Sequence, residues 1–139
     1  MIELAYEDIK VGDAASISRT ISEAHIVAFA GLTGDMNPIH VDAEYAAKSM
    51  FGERIAHGML VAGLISAVIG TELPGPDSIY LGQELKFTAP VKIGDTVTVT
   101  ATVTDKRDDK RIIKLQTTAT NQRGEMVVDG NAVIKKAGR

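Results

Sequence analysis

The sequence predicts an α+β domain in which an antiparallel sheet packs on one apolar helix. Three observations lead there. In the first half of the chain apolar residues recur at helical spacing, and after Leu73-Pro74-Gly75-Pro76-Asp77, a strong turn signal, they alternate strictly. The stretch from His57 to Gly70 is apolar nearly all round, so a helix there has no solvent face and must be buried on most sides. With 139 residues the chain is expected to form one domain, 1–139, able to hide about 70% of its unfolded surface.

Taken in order, Ala15 to Ile21 reads as a short strand. Ser22 then offers an N-cap, with Glu23 in the first turn where a negative charge suits the helix dipole. Ile26, Phe29 and Ala30 follow at helical spacing until Gly31 and Gly34 supply a stop. Asp35 to Val41 reads as irregular, broken at Asn37-Pro38. Asp42 caps a second short helix through Glu44, Tyr45 and Ala46 to about Ser49, and a loop around Phe51-Gly52-Glu53 leads to the apolar helix. Ile79 to Thr88 forms a strand ending at Pro90, and Gly94-Asp95 a turn. Thr96 to Thr104 alternates Val97, Val99, Ala101 and Val103 against threonines. Asp108-Asp109 marks a hairpin, after which Ile113, Leu115, Thr117 and Ala119 alternate. Asn121-Gln122-Arg123-Gly124 turns the chain again, and Met126, Val128, Gly130, Ala132 and Ile134 share one face of the last strand. These are antiparallel strands with one buried and one largely polar face. About five strands of one chain cannot enclose an all-apolar helix, so a partner's sheet is expected to cover it in a homodimer.

Composition narrows the function classes. The hydrophobic (45%) and charged (24%) fractions are those of a globular protein, and the net charge of −3 argues against a general nucleic-acid role. Lys106, Arg107, Lys110 and Arg111 alternate with Asp105, Asp108 and Asp109, the pattern of a solvated hairpin rather than a phosphate patch. The absence of cysteine removes thiolate nucleophiles, disulfides and Cys-based metal sites. The acidic start, Met1 to Asp8, does not read as a signal or transit peptide, and the apolar helix is too short for a membrane span of about 20 residues. A cytoplasmic protein, without a membrane or nucleic-acid partner, is the expectation.

Asp35 and His40 stand five residues apart where Gly34 and Asn37-Pro38 interrupt regular structure. A turn there can aim a carboxylate and an imidazole at one water, as proton transfer on a carbonyl substrate requires, and a buried carboxylate can titrate near the imidazole. The same spacing equally suits an Asx-turn beside a surface histidine. Gly58 opens the apolar helix; its N–H is an unpaired donor at a positive helix end, and the missing Cβ lets a ligand oxygen approach. Gly58 can as well serve tight packing alone. His25 and His57 read as structural, and His40-Val41-Asp42 lacks a third ligand for a metal.

Phe29-Ala30-Gly31-Leu32-Thr33-Gly34-Asp35-Met36-Asn37-Pro38-Ile39-His40-Val41-Asp42 resembles the signature of the MaoC-like, R-specific enoyl-CoA hydratases. Ile55-Ala56-His57-Gly58-Met59 resembles that family's second motif, and Phe87-Thr88-Ala89-Pro90-Val91 to Gly94-Asp95 its entry into the long strands. The resemblance implies the hot-dog fold, a long helix wrapped by an antiparallel sheet that dimerises into a continuous one. It implies syn hydration of a trans-2-enoyl-CoA to an (R)-3-hydroxyacyl-CoA, with Asp35 and His40 as the catalytic pair and the Gly58 amide as oxyanion hole. Carried over likewise, Ser66 and Ile69 border the acyl pocket, although a hydroxyl in an apolar helix also bonds back to the carbonyl four residues earlier. Asn37 lies in the substrate-binding loop and shapes it, through its side chain or a left-handed backbone. No metal or redox cofactor is implied; the CoA belongs to the substrate. An acyl-CoA thioesterase, or a non-catalytic acyl-CoA-binding domain akin to hydratase-like segments joined to phosphate acyltransferases, remains the alternative. The resemblance leaves open which of Asp35 and His40 is base and which is acid.

Overall fold

The computed structural model describes residues 3–138. Met1 and Ile2, which begin the acidic stretch read above, and Arg139 lie outside the described residues. After a 3-10 turn at Tyr6–Asp8 come strand β1 (Ala14–Thr20), helices α1 (Glu23–Thr33), α2 (Pro38–Val41), α3 (Ala43–Ala47) and α4 (Gly58–Thr71), then strands β2 (Ser78–Phe87), β3 (Thr96–Arg107), β4 (Ile112–Thr120) and β5 (Met126–Lys136). The strands form one five-stranded antiparallel sheet in the order β1-β3-β4-β5-β2. This is the α+β architecture that the change of periodicity predicted.

Alternation becomes a layer. Val97, Val99, Ala101 and Val103 of β3 face inward with Ile113, Leu115 and Ala119 of β4 and Val128, Ala132 and Ile134 of β5. Val61, Ile65, Val68 and Ile69 of α4 join them in one core cluster. Each such side chain contributes roughly 1.5–3 kcal/mol by leaving water. On the outer face the threonines of β3 meet β1 as hydroxyl pairs, Ser16–Thr100, Ser18–Thr98 and Thr20–Thr96, each at 2.7 Å.

The structure corrects several expectations. The Asp35–Val41 stretch is not wholly irregular: Pro38 stands in the first turn of α2, where its missing N–H costs nothing, and the Asn37 Oδ1 accepts the Ile39 N–H as cap. Asn37 has φ −52°, so the side chain rather than a left-handed backbone shapes this loop. Gly31 lies inside α1, which stops at Gly34 with φ 79°. Met126 is exposed whereas Val127 and Val128 are both buried, because the β4–β5 register slips between Ala119 and Thr120 and breaks the alternation. The basic hairpin is only partly solvated. Lys106 Nζ donates to the carbonyls of Tyr6 and Ile9 and lies over the Tyr6 ring, and Arg111 Nε donates to the Lys136 carbonyl. With Arg111 also over the Tyr6 ring and paired with Glu7, the two cations tie the N-terminal segment to the sheet.

The apolar helix is buried on one side only. Met59, Gly63, Ser66 and Gly70 form an exposed stripe along α4, and β2 leaves one edge of the sheet open with Ile79 and Leu81 exposed. Among the described residues no helix is long and apolar enough to cross a membrane.

Candidate active site

Three short segments build the site. Ser22 caps α1 by accepting the His25 N–H, while His25 Nδ1 accepts the Ser22 N–H in return, a reciprocal cap that confirms His25 as structural. The left-handed Gly34 releases the chain into an Asx turn, in which Asp35 Oδ1 accepts the Asn37 N–H. One turn later α2 presents His40, and Asp42 caps α3 by accepting the amides of Glu44 and Tyr45. The residues 54–57 then cross the site as a strap. Ala56 donates to the Val91 carbonyl and Ile55 to that of Ile39, so the strap binds both the sheet side and α2.

His40 is 8% exposed. Its Nδ1 lies 2.8 Å from the Ile55 carbonyl oxygen. A carbonyl only accepts, so Nδ1 carries a proton, and in the neutral ring the free lone pair is on Nε2. Arg54 Nε donates to the His40 carbonyl at 2.6 Å while its Nη1 pairs with Glu23 Oε1 at 2.7 Å, fixing α2 against α1. His57 stacks on His40, ring centroids 3.9 Å apart and planes 27° apart, and its Nε2 donates to the Asp35 carbonyl at 3.0 Å. A carboxylate oxygen of Asp35 and one nitrogen of each histidine lie within 4.8 Å of one another. The predicted pair is therefore brought together, although Asp35 is exposed rather than buried as expected.

Asp35, His40 and His57 are close enough to be weighed as a metal-ligand set, different from the His40 and Asp42 pair of the sequence. The His57 ring, however, is stacked on that of His40. An imidazole binds a metal in its own plane at about 2.1 Å, and two stacked planes do not meet at that distance. The arrangement suits proton transfer better than a shared ion.

Beside His40 opens a cavity of about 460 Å³ lined by Phe51, Ile55, Met59, Phe87, Val91 and Val128, with Gly58 at its wall. Its lining is apolar but for His40, Thr88 and backbone groups, the form of a small-molecule site. The Gly58 N–H begins α4 and has no partner among the described residues, as an oxyanion donor requires. The tight-packing reading holds as well: a Cβ on Gly58 would stand 2.7 Å from the Phe87 ring.

Three predicted residues lie elsewhere. Asn37 spends its side-chain oxygen on capping α2 and does not line the cavity. Ser66 is about 12 Å along the helix from Gly58 at 1.5 Å per residue, on the exposed stripe. Ile69 is buried in the core at 1% exposure, so within one chain it is not a pocket wall. Sequence reasoning in turn missed Arg54 and Ile55, which hold His40 from either side. Their one sequence signal is adjacency to His57-Gly58.

Fold and site together define a hot-dog α+β protein in which a carboxylate and an imidazole lie close together, the imidazole at the wall of an apolar cavity. Residues 9–124 match the family model described as MaoC like domain, and the chain belongs to that family. It is 54% identical over 129 residues to the (R)-specific enoyl-CoA hydratase of Rhodospirillum rubrum, covering 93% of this chain and 89% of that one. It is 46% identical to the 3-hydroxybutyryl-CoA dehydratase of Methylorubrum extorquens, covering 95% and 83% respectively. The structure of the (R)-hydratase from A. caviae involved in PHA biosynthesis superposes with a TM-score of 0.90 at 45% identity, covering 93% of this chain and 98% of that one.

Proposed function

We infer that the chain is an (R)-specific enoyl-CoA hydratase, a hydro-lyase that adds water reversibly to a trans-2-enoyl-CoA and gives the (R)-3-hydroxyacyl-CoA. The observation that carries the reading is His40, held through Nδ1 by the Ile55 carbonyl, with a ring nitrogen within 4.8 Å of an Asp35 carboxylate oxygen, at the rim of the apolar cavity. Relatives of 54% and 46% identity bear hydratase and dehydratase names, which favours this over thiol release or passive binding.

In this reading one water lies between His40 and Asp35. Its oxygen bonds to C3 while His40 Nε2 takes one of its protons. The electron pair of the C2–C3 double bond moves onto the thioester oxygen, which the Gly58 N–H steadies as an enolate. The proton then passes to C2 from the same face, with Asp35 relaying it and orienting the water. The water thus supplies both groups, and the addition is syn. Proton transfer by the pair accounts for the chemistry without metal or redox cofactor, and the CoA leaves as part of the product. A homodimer belongs to the same proposal, supported by the exposed α4 stripe and the open β2 edge. So does a cytoplasmic site of action, supported by the acidic, cysteine-free sequence.

The test is hydration of crotonyl-CoA, followed by loss of the conjugated-thioester absorbance, with chiral analysis of the product. Asp35→Asn and His40→Gln should each abolish most turnover in a folded protein. Full activity in either variant would sink the assignment, and thiol release in place of hydration would favour a thioesterase.

A further inference from the structure

We propose that His57 is a positioning residue, a neutral imidazole protonated at Nε2 that fixes Asp35 through its carbonyl and His40 through its ring. The inference rests on the hydratase reading and goes beyond it in giving a third residue a defined state and task.

His57 occupies the N-cap position of α4 but its side chain makes no capping bond. The ring is 2% exposed, and burying a polar group costs free energy unless it is hydrogen-bonded. One nitrogen is satisfied, Nε2 on the Asp35 carbonyl. The other, Nδ1, is buried with no partner among the described residues. Nε2 must carry a proton to donate, and a second N–H on Nδ1 would be buried with no acceptor, so we take the ring as neutral with Nδ1 bare.

The surroundings say what that ring does. Phe29 of α1 packs on it at 4.7 Å with planes 53° apart, and His40 stacks at 3.9 Å. The three rings fix the sideways position of His40, while the Ile55 carbonyl fixes its rotation. When His40 takes the water proton it becomes a cation lying against an aromatic ring, which is favourable if that ring is neutral. The bond to the Asp35 carbonyl holds the start of the Asx turn, and so holds the carboxylate within reach of His40. Two reacting groups on different segments thus share one support, which explains why a polar ring is kept in this place.

Three variants separate the two contacts. His57→Gln can keep a donor for the Asp35 carbonyl but has no aromatic face. His57→Phe keeps the face and loses the donor, and His57→Ala loses both. Misplacement of reacting groups predicts a kcat for crotonyl-CoA hydration lowered roughly ten- to a hundredfold in the first two and further in the third. KM should stay within about twofold, since the cavity is untouched. Side-chain 15N NMR supplies a readout that mere packing would not move. In the wild type it should show His57 protonated at Nε2 and His40 at Nδ1, and in His57→Ala the His40 signals should become a mixture of tautomers. A wild-type spectrum with the His57 proton on Nδ1 would overturn the proposal even if no variant folds. So would a folded His57→Ala protein with kcat within about twofold of wild type. Were the wild type to hydrate nothing, the hydratase reading would fail, and the spectra would still decide whether His57 orients His40.

Discussion

Two regions of the molecule are held in opposite ways. In β3, β4 and β5 most positions follow from a repeated ladder, broken by slips after Val103 and Ala119, and the core side chains Val99, Leu115 and Ala132 are all apolar. Between Gly34 and Gly58 nothing repeats. There the chain is set by single bonds from side chain to backbone: Asp35 to Asn37, Asn37 to Ile39, His40 to Ile55, Arg54 to His40, His57 to Asp35. Stability is spread over many contacts in the first region, and chemistry rests on a few atoms in the second. The two should therefore fail separately.

The sharpest break is His40→Gln. Losing the general base of the proposed mechanism should cost about a hundred- to ten-thousandfold in kcat, with the thermal melting curve unchanged. The mirror experiment is Leu115→Ala at a fully buried position. It should cost about 2–5 kcal/mol in urea unfolding while kcat per folded molecule stays at the wild-type value. Two glycines then probe the contrast within one substitution type. A Cβ on Gly130 would sit 2.1 Å from the Glu84 backbone oxygen, so Gly130→Ala must push β2 from β5 and should cost roughly 1–3 kcal/mol. A Cβ on Gly58 meets only the Phe87 ring, which can swing. Gly58→Ala should leave stability within about 1 kcal/mol yet lower kcat at least about tenfold, because the added methyl and the displaced ring crowd the amide proposed as oxyanion donor. The smallest effect lies far from the site. Burial and the hydrogen bond to Asp108 push the Tyr6 hydroxyl up to about 12 from its ordinary 10. The neutral form is the one the fold favours, so this contribution is whole below pH 10 and is lost as pH rises toward 12. Unfolding curves at pH 9 and pH 11 should show wild type losing stability that Tyr6→Phe does not.

The same division decides what could be read in the sequence. Strands were legible because alternation is a property of side-chain type, and the misplaced Met126 marks where a register slip overrides it. Helix starts were legible at Ser22 and Asp42 because caps use a short list of side chains. The turn at Asn37-Pro38 was misread since Pro breaks a helix interior but suits its first turn. Asp35 and His40 were visible as chemistry-bearing residues in a recognisable motif. His57 was taken as structural, for no spacing rule stacks residues 17 apart in the chain. The resemblance places Ser66 and Ile69 at the pocket, whereas in the fold Ser66 lies two turns beyond Met59 on the exposed stripe and Ile69 is buried in the core.

The partner of His40 is a main-chain oxygen, and so is the partner of His57. Every amino acid carries that oxygen. Position 55 can therefore drift among residues that keep the strap in place without changing which nitrogen of His40 bears the proton. A mutational scan of side chains would read Ile55 only as a cavity wall, although its carbonyl holds His40 Nδ1. Replacing the 55–56 amide by an ester weakens that carbonyl and leaves every side chain intact; since it also removes the Ala56 N–H bound to Val91, the His40 tautomer is the readout that reports the carbonyl.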